Sequence, residues 1–303
     1  MSPLPICRPI TGLLVFIIGY HVHVHFRGTL HLFHNVLNFN LGYVKVKIHY
    51  LQATFQLPTS GQPFIPTPQT FTSSSEALKC RFRLFLGGEC GVEASDNLLH
   101  RSPWVVYIEY WRHGELSGVR CAGTLVDKIY NNYIDDVTND IVVTIDVAET
   151  LLHPDYDGRN NDIAILKLKN AAPYNDFIRP ICLPTTQFVG KVEFLSSGWG
   201  ELITSRTYSR VKKLIPLPYW TPEECQTIYE HDDIPEKVIC AGGEEGIDTC
   251  CGDSGGPLML KRNRVELWGV TSMGKVQCGS KGSPGLYTNV AEFMTWIQET
   301  LEK

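Results

Sequence analysis

Gly252-Asp253-Ser254-Gly255-Gly256-Pro257 is the stretch on which the reading of this chain turns. A serine hydroxyl is a weak nucleophile at neutral pH. It attacks a carbonyl when a base takes its proton and N–H groups meet the developing oxyanion. Glycines on both sides of Ser254 let the backbone turn tightly, so the N–H groups of Gly252 and Ser254 can converge on one point. The stretch therefore predicts a nucleophile with an oxyanion hole. Outward from it stand other stretches in a fixed order: Pro103-Trp104, Cys121-Ala122-Gly123-Thr124-Leu125-Val126, His153-Pro154-Asp155-Tyr156, and Asn161-Asp162-Ile163-Ala164-Ile165-Leu166. Arg179-Pro180-Ile181-Cys182-Leu183-Pro184, Gly198-Trp199-Gly200 and Pro284-Gly285-Leu286-Tyr287-Thr288 complete the series.

Together these stretches resemble the chymotrypsin/trypsin family of serine proteases, from about Ser102 to the C-terminus. The nearest likeness is to invertebrate cascade proteases of the clip type, without the clip domain. The resemblance implies an all-β fold of two six-stranded antiparallel barrels with a C-terminal helix. It also implies that Ser254 is the nucleophile and Asp162 the acid that orients the base. Short apolar runs separated by Gly, Pro and Asn over residues 103–288 independently read as all-β. Val290, Phe293, Met294, Ile297 and Leu301 share one helical face, with Asn289 as N-cap and Glu292 three residues later, which predicts the terminal helix.

Composition bounds the rest. At 303 residues the chain is long enough for one large two-barrel domain plus an extension, and 43% hydrophobic residues supply a core. A net charge of −5 leaves no basic stripe for nucleic acid. No metal and no cofactor is expected.

One part of the machinery is missing from its place. The family carries its histidine in a T-A-A-H-C motif after the Cys121 strand. Here the chain reads Val126-Asp127-Lys128-Ile129-Tyr130-Asn131-Asn132, and His153 is the only histidine between Cys121 and Asp162. By resemblance His153 is a surface feature, and His100 and His113 are the other candidates in this half. The cysteine that would follow the catalytic histidine is absent too. Loss of a contiguous segment between Tyr130 and Asn131, as by a skipped exon, explains both absences. It also predicts an incomplete first barrel and an inactive chain.

The ten cysteines suit an extracellular protein. The resemblance implies the pairs Cys225–Cys240, Cys250–Cys278 and Cys90–Cys182. It leaves Cys7, Cys80, Cys121 and Cys251 unassigned, with Cys251 either a free thiol or a partner for Cys121. Phe194 and Leu260 occupy both positions of another family bridge, which suggests apolar packing in its stead.

Asp248 stands six residues before Ser254, where the trypsin-like branch has the carboxylate at the base of its specificity pocket. Gly274 and Gly285 match the two positions that must lack side chains for a long residue to enter. Cleavage after Arg or Lys is the implied specificity, and Met273 replaces the usual Trp. Asp253 is implied to pair with the amino group released on zymogen activation. Candidate activation sites are Arg83-Leu84-Phe85-Leu86-Gly87-Gly88 and the stretch after Cys90–Asn97, and both depart from the family pattern.

Three regions are expected: an N-terminal extension of low order over 1–79, an activation or linker segment over 80–101, and the protease domain over 102–303. Within the extension, residues 58–76 read as a Pro/Ser/Thr-rich linker. Gly12–Tyr20 has the length of a signal or anchor run, too short to span a bilayer as a helix. His21, His23 and His25 would share one strand face, a pattern that can hold zinc. With no fourth ligand it is read as composition.

Two function classes remain in play. One is a secreted trypsin-like endopeptidase acting on protein substrates, met by protein inhibitors and activated by an upstream protease. The other is a non-catalytic homologue that binds a protein partner. The intact Ser254 and Asp162 favour a shortened enzyme over an evolved binder. No membrane contact is expected beyond the signal or anchor run.

Overall fold

Runs rich in Val, Ile, Leu and aromatic residues, cut by turn residues, can bury their apolar side chains only by pairing into sheets that close on themselves. The computed structural model describes residues 14–18, 42–48, 90–94, 101–112, 115–128, 143–172, 174–186, 190–203, 205, 207–229, 234–274 and 278–301. The first barrel consists of β1 (Leu14–Ile18), β2 (Gly42–Ile48), β3 (Val105–Arg112), β4 (Glu115–Lys128), β5 (Val143–Leu152) and β6 (Ala164–Leu168). The ring runs β1-β4-β3-β2-β5-β6, with every pair antiparallel.

After β7 (Glu193–Gly198) a two-stranded hairpin, β8 (Glu201–Leu202) and β9 (Thr207–Tyr208), stands apart. The second barrel joins β7 to β10 (Lys213–Trp220), β11 (Val238–Gly242), β12 (Pro257–Lys261), β13 (Val265–Met273) and β14 (Pro284–Asn289) in the order β10-β11-β14-β13-β12-β7.

The expectation of an incomplete first barrel holds for residues 102–303 alone, which supply four of its strands. It is corrected for the whole chain. β1 fills the place between β4 and β6, and β2 the place between β3 and β5. Those four strands form two separate pairs, β4-β3 and β5-β6, whose four open edges are rows of unpaired N–H and C=O groups that β1 and β2 satisfy. The boundary at residue 79 therefore cuts through the barrel, because parts of the extension are strands within it. The alternation Val44-Lys45-Val46-Lys47-Ile48 was the legible sign of β2. The apolar run read as a signal or anchor contains β1 itself. The linker at 58–76, the activation stretch Arg83–Gly88, the second one apart from Arg101, and His21, His23, His25, His100 and His113 lie outside the described residues, as do Cys7 and Cys80.

One apolar cluster spans the junction of the barrels. Trp104, Leu125, Ile163 and Ile165 meet Met259, Leu267 and Val270, and Trp104 donates its indole N–H to Met259 Sδ at 3.0 Å. Phe194 and Leu260 are both buried in a second cluster with Leu217 and Trp268, where the family bridge would lie.

The C-terminal segment begins as a 3-10 turn over Val290–Phe293 and continues as a helix over Met294–Leu301. Asn289 caps it by accepting from Ala291 N, and Val290, Phe293, Ile297 and Leu301 are buried. Residues Pro222–Ile228 form an earlier helix, α1, that the apolar pattern did not announce. Its signature was a capping box: Glu224 N donates to Thr221 Oγ1 at 3.2 Å, and Thr221 N donates to Glu224 Oε2 at 2.9 Å. The terminal helix Met294–Leu301 is α2.

Candidate active site

Asp162 precedes β6 and is buried to 2% exposure. Asn161, with φ of 54°, turns the chain just before it, and Thr288 Oγ1 on β14 donates to the Asp162 carbonyl at 2.8 Å. Ser272 on β13 donates its hydroxyl to Asp162 Oδ2 at 2.5 Å. The adjacent Thr271 accepts from Gly255 N at 2.8 Å. Two consecutive residues of one strand thus tie the aspartate and the nucleophile loop together across the junction of the barrels.

Ser254 sits half-buried in the loop before β12 (Pro257–Lys261). Its carbonyl accepts from Ala122 N on β4 at 2.8 Å. The N–H groups of Asp253, Gly255 and Gly256 are bonded to the carbonyls of Cys250, Thr271 and Asp253. Among the described residues those of Gly252 and Ser254 bond no backbone carbonyl. Gly252 has φ of 97°, and a Cβ there would meet the Tyr208 ring at 2.8 Å, so the turn admits glycine alone.

Asp253 points inward. Its carboxylate accepts from Gly200 N at 2.8 Å and Cys250 N at 3.1 Å. A Cβ at Gly198 or Gly200 would overlap the Asp253 oxygens, which is why Trp199 is flanked by glycines. Burial pushes the Asp253 carboxyl up to about 6, against the two backbone hydrogen bonds that favour its charge.

Asp248 lies beside this loop. Its Oδ2 accepts from Gly279 N at 2.9 Å, while Oδ1 is buried without a hydrogen-bond partner among the described residues. Burial raises its carboxyl to about 6. Gly274 and Gly285 face each other: a Cβ on Gly274 would lie 3.8 Å from Gly285 Cα. A Cβ on Gly285 would crowd the Tyr287 hydroxyl at 3.2 Å, itself 2.8 Å from Thr249 Oγ1. A buried carboxylate oxygen without a donor can accept from a cationic group.

His153 is elsewhere. Its backbone N–H bonds Ile163 O at 3.1 Å, but its ring packs 5.3 Å from Phe293 and 5.0 Å from Trp296. Nδ1 accepts from Asp155 N, and burial lowers the pKa. The structure thus brings together Asp162, Ser254, Gly252, Asp253, Asp248, Gly274 and Gly285 and leaves His153 out. Ser272 is the site residue that sequence reading missed, since a serine inside an apolar strand carries no local signal.

Cys90–Cys182, Cys225–Cys240 and Cys250–Cys278 are disulfide-bonded. Cys121 and Cys251 are free thiols, and burial pushes that of Cys121 up to about 11. Glu201, Cys250 and Cys251 lie close enough to suggest a metal cluster, but the Cys250 sulfur is bonded to Cys278 and is no ligand.

The family model for trypsin matches residues 92–297. The chain belongs to the trypsin family. Among its relatives, the CLIP domain-containing serine protease HP8 of Bombyx mori is 42% identical over 176 residues, 54% of this chain and 47% of its own length. The phenoloxidase-activating enzyme of Bombyx mori is 32% identical over 77% of this chain and 65% of its own length. Melanization protease 1 of Drosophila melanogaster is 30% identical over 81% and 75%. The chain thus spans about half of the first relative and just under two thirds of the second. No helix among its described residues is long and apolar enough to cross a membrane.

Proposed function

We propose that this site binds the side chain of Arg or Lys and directs peptide cleavage after it, outside the cell and on protein substrates. The observation that carries the reading is the buried Oδ1 of Asp248, which has no hydrogen-bond partner among the described residues. A guanidinium or ammonium group would supply the missing donors. Ser254 is the nucleophile, the N–H groups of Gly252 and Ser254 form the oxyanion hole, and Asp162, held by Ser272, orients the base. Asp253 accepts the amino group released by an upstream activating protease.

His153 packs against Phe293 and Trp296 of the C-terminal segment. A second reading, a homologue that binds protein without cutting it, follows from the absence of a histidine from its family place after the Cys121 strand. Loss of the base in a comparable triad lowers turnover by about 10⁶. The test pairs benzamidinium binding with hydrolysis of Arg and Phe esters by the full chain. Amidinium binding together with Arg ester cleavage supports the enzyme. Amidinium binding without any cleavage supports the homologue. Preference for Phe overturns the pocket.

A further inference from the structure

We propose that the hairpin of β8 (Glu201–Leu202) and β9 (Thr207–Tyr208) sets the direction of the Gly252 N–H, with the Glu201 N–H as the lock on the Cys251–Gly252 peptide and the Tyr208 ring as its backing. Tyr208 is thus a positioning residue for the oxyanion donor. The inference deepens the peptide-cleavage reading above and rests on it. Gly252 has no side chain to fix its turn, and its φ of 97° lies in a region that glycine enters and leaves at little cost. Contacts from outside the turn must therefore choose which way its N–H points. The hairpin meets the turn at three consecutive residues. Cys251 O accepts from Glu201 N at 2.9 Å. A Cβ on Gly252 would lie 2.8 Å from Tyr208 Cε1 and 3.2 Å from Cδ1, so the ring covers the glycine where a side chain would stand. Asp253 Oδ1 accepts from Gly200 N at 2.8 Å. Glu201 and Tyr208 are cross-strand partners, which sets the donor and the ring side by side.

The first of these contacts decides the direction. A trans peptide is planar, with its C=O and N–H on opposite sides, and no cis peptide occurs among the described residues. With the Cys251 carbonyl drawn to Glu201, the Gly252 N–H points away from the hairpin. A flip of this one peptide would break the Glu201 bond and put a carbonyl oxygen where the donor stands, repelling an oxyanion instead of holding it. The residues on either side cannot follow such a flip. Asp253 N donates to Cys250 O at 2.9 Å, and Cys250 N donates to Asp253 Oδ2 at 3.1 Å. Only the Cys251–Gly252 unit is left to turn, and Tyr208 packs on the Gly252 Cα about which it would turn. The hairpin is itself fixed at its base, where Ser209 N donates to Gly200 O at 3.0 Å.

The experiment uses the full chain and three readouts: p-aminobenzamidine affinity, kcat and KM for an Arg thioester, and amide hydrogen exchange at Glu201. Tyr208→Ala should keep amidinium affinity within about twofold and KM within a few-fold, while kcat falls by about 10²–10³, the worth of one oxyanion donor. Protection of the Glu201 amide should fall by about tenfold in the same variant, since the bond to Cys251 O opens locally. Tyr208→Phe keeps the ring and should restore both. Glu201→Pro deletes the N–H and should lower kcat as Tyr208→Ala does; Glu201→Ala, which keeps it, is the matched control. Unchanged kcat in Tyr208→Ala overturns the proposal, as does an equal loss in Tyr208→Phe or an equal loss in the two Glu201 variants. If Tyr208→Ala and Tyr208→Phe both lose amidinium affinity, Tyr208 is structural and the assignment falls. Failure of amidinium binding in wild type strikes the pocket reading itself. Amidinium binding without hydrolysis in wild type strikes the peptide-cleavage reading, and amide exchange then judges the lock: unchanged protection of Glu201 in Tyr208→Ala overturns it.

Discussion

Protonation of Asp248 should gate the pocket within the range of ordinary buffers. Its carboxyl is held near about 6 by burial, and only the charged form attracts a cation. If one such group controls binding, apparent Kd scales as one plus the ratio of protonated to charged carboxyl. At pH 8 that factor is about 1; at pH 5, one unit below the pKa, it is about 11, so benzamidinium should bind roughly tenfold more weakly. Asp253 titrates in the same range for the same cause, burial, so a variant must separate the two. Asp248→Asn should lose about 2–5 kcal/mol of amidinium affinity, roughly 30- to 5000-fold, since a buried charge pair then lacks one partner. Any pH dependence left in that variant belongs to Asp253. Fluorescence titration of the full chain with p-aminobenzamidine from pH 5 to 8 reads both effects. Affinity that is flat, or that strengthens toward pH 5, refutes the reasoning, as does an Asp248→Asn variant that binds like wild type.

The same two carboxyls predict a stability trend of opposite sign to the usual acidic residue. Folded pKa values raised above the unfolded 3.8 mean that the native state binds more protons between those limits. Their contribution is present at low pH and lost as pH rises through about 6, so the melting temperature of Asp248→Asn should rise less than that of wild type between pH 7 and pH 5. Gly200→Ala drives a methyl group into the Asp253 carboxylate, with Gly198 and Cys250 leaving it no room, and should cost several kcal/mol in chemical denaturation. Replacing Cys225 and Cys240 by Ser opens a loop of sequence separation 15 and should cost about 3 kcal/mol by the chain-entropy account. Val46→Pro removes a ladder donor from a strand paired on both sides; a melting temperature equal to wild type would show that β2 (Gly42–Ile48) does not hold the first barrel closed.

Local sequence was enough for the chemistry of single positions. Gly252-Asp253-Ser254-Gly255-Gly256-Pro257 announces a nucleophile turn because backbone conformation there depends on glycine, while Asp248 and the three disulfides were implied by the resemblance to the trypsin family. The capping box at Thr221 was equally legible and went unread. Ser272 was not legible, because its value lies in reaching Asp162 across 110 residues of sequence. The strands Leu14–Ile18 and Gly42–Ile48 belong to the same class. Their apolar and alternating patterns say that each wants a sheet, but which edges they fill depends on four distant strands leaving two places open. Strand pairing is non-local: the hydrogen bonds that decide it lie between segments whose sequences carry no mark of each other. Residue type and spacing therefore marked Ser254, Asp162 and Asp248 as candidates, while only the tertiary structure decided that Ser272 reaches Asp162 and that β1 and β2 join the first barrel.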